Sequence, residues 1–189
     1  MSIRHTDVKF LTQTQLAQFF SVIDSPRDLA VFLLIYHHGL RVTECTLLRL
    51  DSIDLEKKRI NIIRLKNGYG GERPLLSNTV EAIQKYLPER LRTSDGLFTG
   101  RQGTLQRQRI QQLFKYYARL AGIDSKYTVR CLRHSIGTHL LDGGLGIEFV
   151  QDHLGHINIQ NTLIYAKLTS RRREAVYRQV EDSPEIVKV

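Results

Sequence analysis

Apolar positions recur with two different periods along this 189-residue chain. Through most of it they fall three and four residues apart, the spacing of one buried helix face. The first such helix starts at a cap supplied by Thr12 or Thr14 and carries Leu16, Phe19 and Phe20 inward. Asp24-Ser25-Pro26 interrupts it, and Pro26 suits the first turn of a second helix, which runs through Ala30 to Tyr36 and stops near Gly39. Thr43 reads as the next cap, for a short helix carrying Leu47 and Leu48. Further helical spacing covers residues 78–86, 104–121, 132–141, 147–154, 159–166 and 170–180. Gly122 closes the 104–121 helix, and Gly143-Gly144 closes the next.

The period changes over residues 53–65, where a charged turn separates two β-branched runs and predicts a hairpin. A turn at 66–71 then leads to a third short strand, Arg73-Pro74-Leu75-Leu76. Pro74 has no N–H for a ladder, so that strand lies at an edge or the proline lies outside the pairing. The expected architecture is mainly α with a small three-stranded antiparallel sheet, an α+β class, ending in a tail over 181–189.

Hydrophobic residues make up 41% and charged residues 25%, the balance of a chain that can bury a core rather than stay disordered. The net charge of +9 fits a polyanionic partner, although a solvated basic surface would give the same excess. Cys45 and Cys131 lie in apolar stretches and are expected reduced and buried, as in a cytosolic protein. The polar start, Met1 to Asp7, does not read as a signal peptide, and the apolar run at 29–36 is too short to cross a bilayer. A soluble, cytoplasmic protein without a membrane anchor is expected.

Several polar residues stand out by chemistry. Arg41, in Gly39-Leu-Arg41-Val-Thr43-Glu44, sits just before a helix start that favours anions, and Glu44 lies where it could orient the guanidinium. A surface ion pair is the plainer reading. Arg130-Cys-Leu-Arg133-His134 offers two basic forks for a phosphodiester, with His134 as a core or supporting histidine; His139 reads as structural. His153-Leu-Gly-His156 has the spacing of a metal pair, but Gly155 breaks the helix that would align the rings and no further ligands complete a site. No metal or cofactor is expected. Tyr165, one of eight tyrosines, could be a packed aromatic or a hydroxyl that attacks phosphorus. Its phenol starts from a pKa of about 10, and neighbouring arginines would favour the phenolate. Lys66, at a strand end, could protonate a departing 5′ oxygen. Arg101, Arg107, Arg109 and Lys115 are candidates for contact with DNA phosphates, or a solvated helix face.

The ordered set Arg41, Lys66, Arg133, His156 and Tyr165 resembles the catalytic domain of the tyrosine recombinases, the phage integrase family, from Phe10 to about Ser170. Phe10-Leu-Thr12, His38-Gly39, the segment 64–76 and Ile157-Asn158-Ile159 resemble the short fimbrial phase-variation recombinases, which invert a promoter segment and lack an N-terminal core-binding domain. The resemblance implies a single catalytic domain over 1–189 with its core at about 10–180. It also implies an enzyme that breaks and rejoins DNA through a 3′-phosphotyrosine, with Arg41, Lys66, Arg130, Arg133, His156 and Tyr165 as its catalytic set. The implied partners are double-stranded DNA with inverted-repeat sites, a homo-tetramer on that DNA, and DNA-bending accessory proteins in the bacterial nucleoid. Arg130 departs from the family, which has histidine there. An arginine cannot act as a base near neutral pH. That departure keeps open a catalytically impaired DNA-binding regulator on the same scaffold. A topoisomerase of type IB is a further alternative.

Overall fold

The computed structural model describes residues 8–65 and 68–166. Lys66, the expected helix over 170–180 and the tail over 181–189 lie outside the described residues. Helix α1 (Gln13–Ser21) begins at Thr12, whose hydroxyl accepts from the Gln15 amide while the Gln15 side chain accepts from the Thr12 amide. This reciprocal cap satisfies two N–H groups that the helix leaves free. Helix α2 (Pro26–His37) is capped by Ser25 and starts on Pro26. Every side chain from Ala30 to Ile35 is buried, so α2 is apolar nearly all round and forms the middle of the molecule, against α4 and α6.

Helix α3 (Val42–Thr46) corrects one expectation. Its cap is Arg41, not Thr43, because Glu44 reaches back and accepts the Arg41 amide at 2.8 Å. A carboxylate inside the first turn thus replaces the usual capping hydroxyl. Leu48 is buried as expected, whereas Leu47 is exposed.

Strands β1 (Ile53–Asp54), β2 (Arg59–Ile62) and β3 (Gly71–Pro74) form an antiparallel sheet in that spatial order. Ile60 and Ile62 point into the core while Arg59 and Asn61 face out. Pro74 lies on the edge strand β3, opposite Arg59, where its missing N–H costs no ladder bond. A second hairpin, β4 (Thr99–Gly100) with β5 (Gly103–Thr104), was not expected, since two-residue strands carry no periodic signal. Because Thr104 belongs to β5, the helix expected from 104 begins later, as α5 (Arg107–Leu120).

Helices α4 (Ser77–Tyr86), α6 (Arg130–Asp142), α7 (Ile147–Leu154) and α8 (Gln160–Ala166) complete the described chain. The main core is aromatic at its centre, with Phe19, Phe32 and Phe114 in mutual contact. A smaller cluster joins α6, α7 and α8 through Ile136, Leu141, Val150, Leu154 and Tyr165. It fixes where the candidate nucleophile lies. Cys45 and Cys131 are buried and unpaired, and burial pushes the Cys131 thiol up to about 12. Among the described residues no helix is long and apolar enough to cross a membrane.

Candidate active site

Glu44 organises the site. Its carboxylate is fully buried and accepts the Arg41 guanidinium at 2.6 Å, the Arg64 guanidinium at 2.9 Å and the Leu65 amide at 3.2 Å. Burial works against its ionisation, but the bonds from Arg41 and Arg64 outweigh that and hold it below the ordinary carboxylate range. The Arg41–Glu44 pair is therefore not a surface ion pair, although the Arg41 side chain keeps 30% of its surface open to solvent.

Arg64 was missed by the sequence reading. It is buried and donates to the His38 and His153 carbonyls at 2.7 Å each, to Gly39 O at 3.3 Å, and to Glu44. One guanidinium thus ties the end of β2 to the α2–α3 turn and to the last turn of α7. Gly155 makes this possible: it closes α7 with a positive φ of 65°, and a Cβ there would lie 3.0 Å from Arg64 Cγ and Nε. Arg64 and Leu65 lead directly into Lys66, which itself lies outside the described residues.

Arg133, on the first turns of α6, is also buried. It donates to Gly39 O, to Leu154 O at 2.9 Å and to His156 Nε2 at 2.8 Å. Because Arg133 can only donate, His156 Nε2 accepts, and its Nδ1–H faces Thr162 Oγ1 at 2.9 Å. In this state His156 holds Arg133 rather than presenting a free N–H. His153 turns elsewhere, its Nε2 donating to His37 O at 2.8 Å. The two rings of the His-x-x-His pair therefore serve different partners.

Tyr165 is buried, with its hydroxyl 2.9 Å from His134 Nδ1. Its ring lies flat against α6 at Gly137, where an added Cβ would come within 3.1 Å of Cε2 and Cζ. Arg130 occupies the first position of α6, is exposed, and sits one turn before His134 on the same helix face.

The electrostatics are unbalanced. Among the described residues, Arg41, Arg64, Arg130 and Arg133 act on this site, and the Glu44 carboxylate pairs with Arg41, Arg64 and Arg133. Arg133 loses proton affinity through burial first and then through Arg41 and Arg64. His156 falls to about 3, by burial and then by Arg133, Arg41 and Arg64. His134 falls to about 4, by burial and then by Arg130 and Arg133. Burial raises the Tyr165 phenol, opposed by Arg133, Arg41 and Arg130. A bound anion would offset the part of the Arg133, His134 and His156 shifts that comes from neighbouring arginines, and would equally offset the support those arginines give the Tyr165 phenolate.

The remaining candidates lie apart from this cluster. Arg101 and Arg109 line a groove of about 630 Å³ between the β4–β5 hairpin and the start of α5. Arg107 is exposed at the first position of α5. Lys115 donates to Ser125 O and, at 2.7 Å, to Tyr127 O, so its ammonium anchors the loop between α5 and α6.

A model of the phage integrase family matches residues 9–172. Tyrosine recombinase XerA of Pyrococcus horikoshii is 34% identical over 173 residues, which cover 89% of this chain and 60% of that protein. Type 1 fimbriae regulatory protein FimE of Escherichia coli K12 is 34% identical over 152 residues, 77% of each chain. The crystal structure of XerA recombinase matches with a TM-score of 0.80 at 26% identity, over 92% of this chain and 65% of that one. The chain thus spans less than two thirds of the XerA proteins and about three quarters of FimE. The family match covers every element from α1 to α8, including those that carry Arg41, Arg133, His156 and Tyr165, and this chain belongs to the phage integrase family.

Proposed function

We propose that this chain is a site-specific DNA recombinase that cuts and rejoins strands through a covalent bond between Tyr165 and DNA. The observation that carries the reading is the convergence of three guanidinium groups, Arg41, Arg64 and Arg133, on the Glu44 carboxylate, with the Tyr165 hydroxyl in the field of Arg133, Arg41 and Arg130. Such a site lacks negative charge, and a phosphodiester supplies it. The exposed Arg130 and the half-open Arg41 meet the phosphate first, with Arg133 behind them, steadied by His156. Tyr165 is buried here, so attack follows a shift of α8 that opens its hydroxyl to the cleft. Its oxygen bonds to phosphorus, the bond to the 5′ oxygen breaks, and Lys66 supplies the proton that the departing oxygen needs. The 3′-phosphotyrosine conserves the bond energy, so the 5′ hydroxyl of a partner strand reverses the step without ATP.

The likeness to FimE, named as a fimbriae regulatory protein, supports inversion of a promoter segment in fimbrial phase variation as the outcome. On that reading the partners are duplex DNA with inverted-repeat sites, four copies of this chain acting as the catalytic unit, and accessory proteins that bend the DNA in the nucleoid. Arg101, Arg107 and Arg109 would follow its phosphates.

The test is a nicked duplex carrying the chain's own target site, selected from a random library, with the wild type and Tyr165→Phe. A covalent protein–DNA band from the wild type alone supports the proposal. Tight binding by both without any band would leave a DNA-binding regulator instead.

A further inference from the structure

We propose that His134 is the general base for Tyr165, taking the part that the family assigns to the histidine whose place Arg130 holds. This rests on the reading of Tyr165 as nucleophile. The geometry comes first. His134 Nδ1 lies 2.9 Å from the Tyr165 hydroxyl, within the reach that direct proton transfer needs. The contact is built rather than incidental. The Tyr165 ring can lie this close to α6 only because residue 137 has no side chain. A glycine inside a helix is less favourable than alanine, and here it sets the ring beside the imidazole one turn earlier.

No other described group near the hydroxyl can take the proton. Arg130 is a permanent cation. Both nitrogens of His156 are engaged, one by Arg133 and one by Thr162. Glu44 is enclosed by Arg41 and Arg64. His139 is bonded to the Tyr36 hydroxyl and His153 to the His37 carbonyl.

The charges around His134 set its protonation state. Burial, then Arg130 and Arg133, hold the imidazole neutral, and the proposed base is the tautomer with its hydrogen on Nε2, in which Nδ1 offers a lone pair to the Tyr165 hydroxyl. A phosphodiester bound on those arginines cancels much of their field and raises the basicity of the ring and of the Tyr165 oxygen together, so it leaves the transfer balanced. Arg130 and His134 lie one helical turn apart on one face of α6, so the Tyr165 hydroxyl gives up its proton at His134 on the same side of the helix where Arg130 would hold a phosphate, before it moves to the phosphorus.

The step balances. The proton of Tyr165 passes to His134 Nδ1, the phenolic oxygen bonds to phosphorus, the bond to the 5′ oxygen breaks, and that oxygen takes its proton from Lys66. In rejoining, the 5′ hydroxyl returns its proton to Lys66 and bonds to phosphorus, the bond to Tyr165 breaks, and the leaving phenolate recovers its proton from the His134 imidazolium.

The experiment is single-turnover cleavage of the nicked duplex by the full chain, with His134→Ala and His134→Gln beside the wild type. Each is made with tyrosine and with a fluorinated, more acidic tyrosine at position 165. DNA affinity is measured in parallel to show that the variants fold. A base of this kind contributes about 10²-fold to 10⁴-fold. The expected result is a loss of at least about 100-fold in both variants at unchanged affinity, with the gap to wild type narrowing for the acidic phenol. Arg130→His combined with His134→Ala is expected to recover much of the rate.

An unchanged rate would overturn the assignment, and so would an equal loss whatever the acidity of the phenol. Faster cleavage would mean that His134 restrains Tyr165 rather than activating it, which also overturns the assignment. No adduct from the wild type itself would overturn the nucleophile reading, and this inference with it.

Discussion

Gly137→Ala probes how closely Tyr165, the proposed nucleophile, is fitted. The new Cβ would lie 3.1 Å from Tyr165 Cε2 and Cζ and 3.2 Å from Cδ2. Carbon contacts settle at about 3.5–4.0 Å, so the ring must retreat from α6 by roughly half an ångström. Retreat is resisted, because the ring is enclosed by Ile136, Leu141, Val150 and Leu154. Two stability effects then oppose each other. Alanine favours the helix by roughly 1 kcal/mol over glycine, and overpacking costs about 1–3 kcal/mol. The net change is a loss of about 0–2 kcal/mol, readable in urea unfolding. The hydroxyl moves with the ring, and its 2.9 Å bond to His134 passes out of the useful range. Misplacement by 1 Å can cost 10²-fold, so half that distance costs about tenfold in single-turnover cleavage. DNA affinity is expected to stay as in the wild type, because the atoms nearest a Cβ at Gly137 belong to Tyr165 and not to the arginines proposed to bind phosphate. Wild-type cleavage by a folded, DNA-binding Gly137→Ala protein would refute the claim that this close approach matters.

Other predictions follow from the same geometry. Glu44→Gln leaves Arg41, Arg64 and Arg133 without their buried counter-charge and is expected to destabilise the fold by about 3–5 kcal/mol, measured by urea unfolding; a loss below 1 kcal/mol would contradict its role as hub. Arg64→Leu strips the His38 and His153 carbonyls of their donor and should lower the melting temperature and slow cleavage together, whereas a drop in neither would show that the latch is dispensable. The histidines His37, His134 and His153 fall to about 4 and His38 and His156 to about 3, from an unfolded value of 6.5. Between these values the unfolded chain binds more protons than the fold. Stability is therefore full above pH 6.5 and falls as pH drops towards 4, by at most about 1.4 kcal/mol per pH unit for each histidine; melting curves that do not move between pH 7 and 5 would contradict this. Arg101→Ala and Arg109→Ala should each weaken DNA binding and lower the slope of log affinity against log salt by about one, while Lys115→Ala, whose ammonium is held by loop carbonyls, should leave the slope unchanged.

The legible parts of this protein share a cause. Helices such as α2 and α7 repeat their apolar spacing over two or more turns, and Thr12 and Pro26 mark their starts with side chains whose chemistry is local. The order of Arg41, Arg133, His156 and Tyr165 was legible through its resemblance to the family's pattern, and the structure brings these residues into one electrostatic cluster. What escaped depends on partners distant in sequence. Arg64 continues the inward phase of Ile60 and Ile62, a signal that alternation alone contained, but its partners lie 20 to 89 residues away. Glu44 hid the cap of α3, because a carboxylate reaching back did the work expected of Thr43. Lys115 looked free until the carbonyls of Ser125 and Tyr127 came into view. The hairpin β4–β5 was simply too short for any period to register.

The central claim is that Tyr165 becomes bonded to DNA. Wild-type protein trapped on the nicked target duplex, digested with protease and nuclease and read by mass spectrometry, tests it most directly. The account predicts a 3′-linked nucleotide on the peptide that carries Tyr165, and none with Tyr165→Phe. A nucleotide on any other side chain, or strand cleavage that persists in Tyr165→Phe, would contradict it.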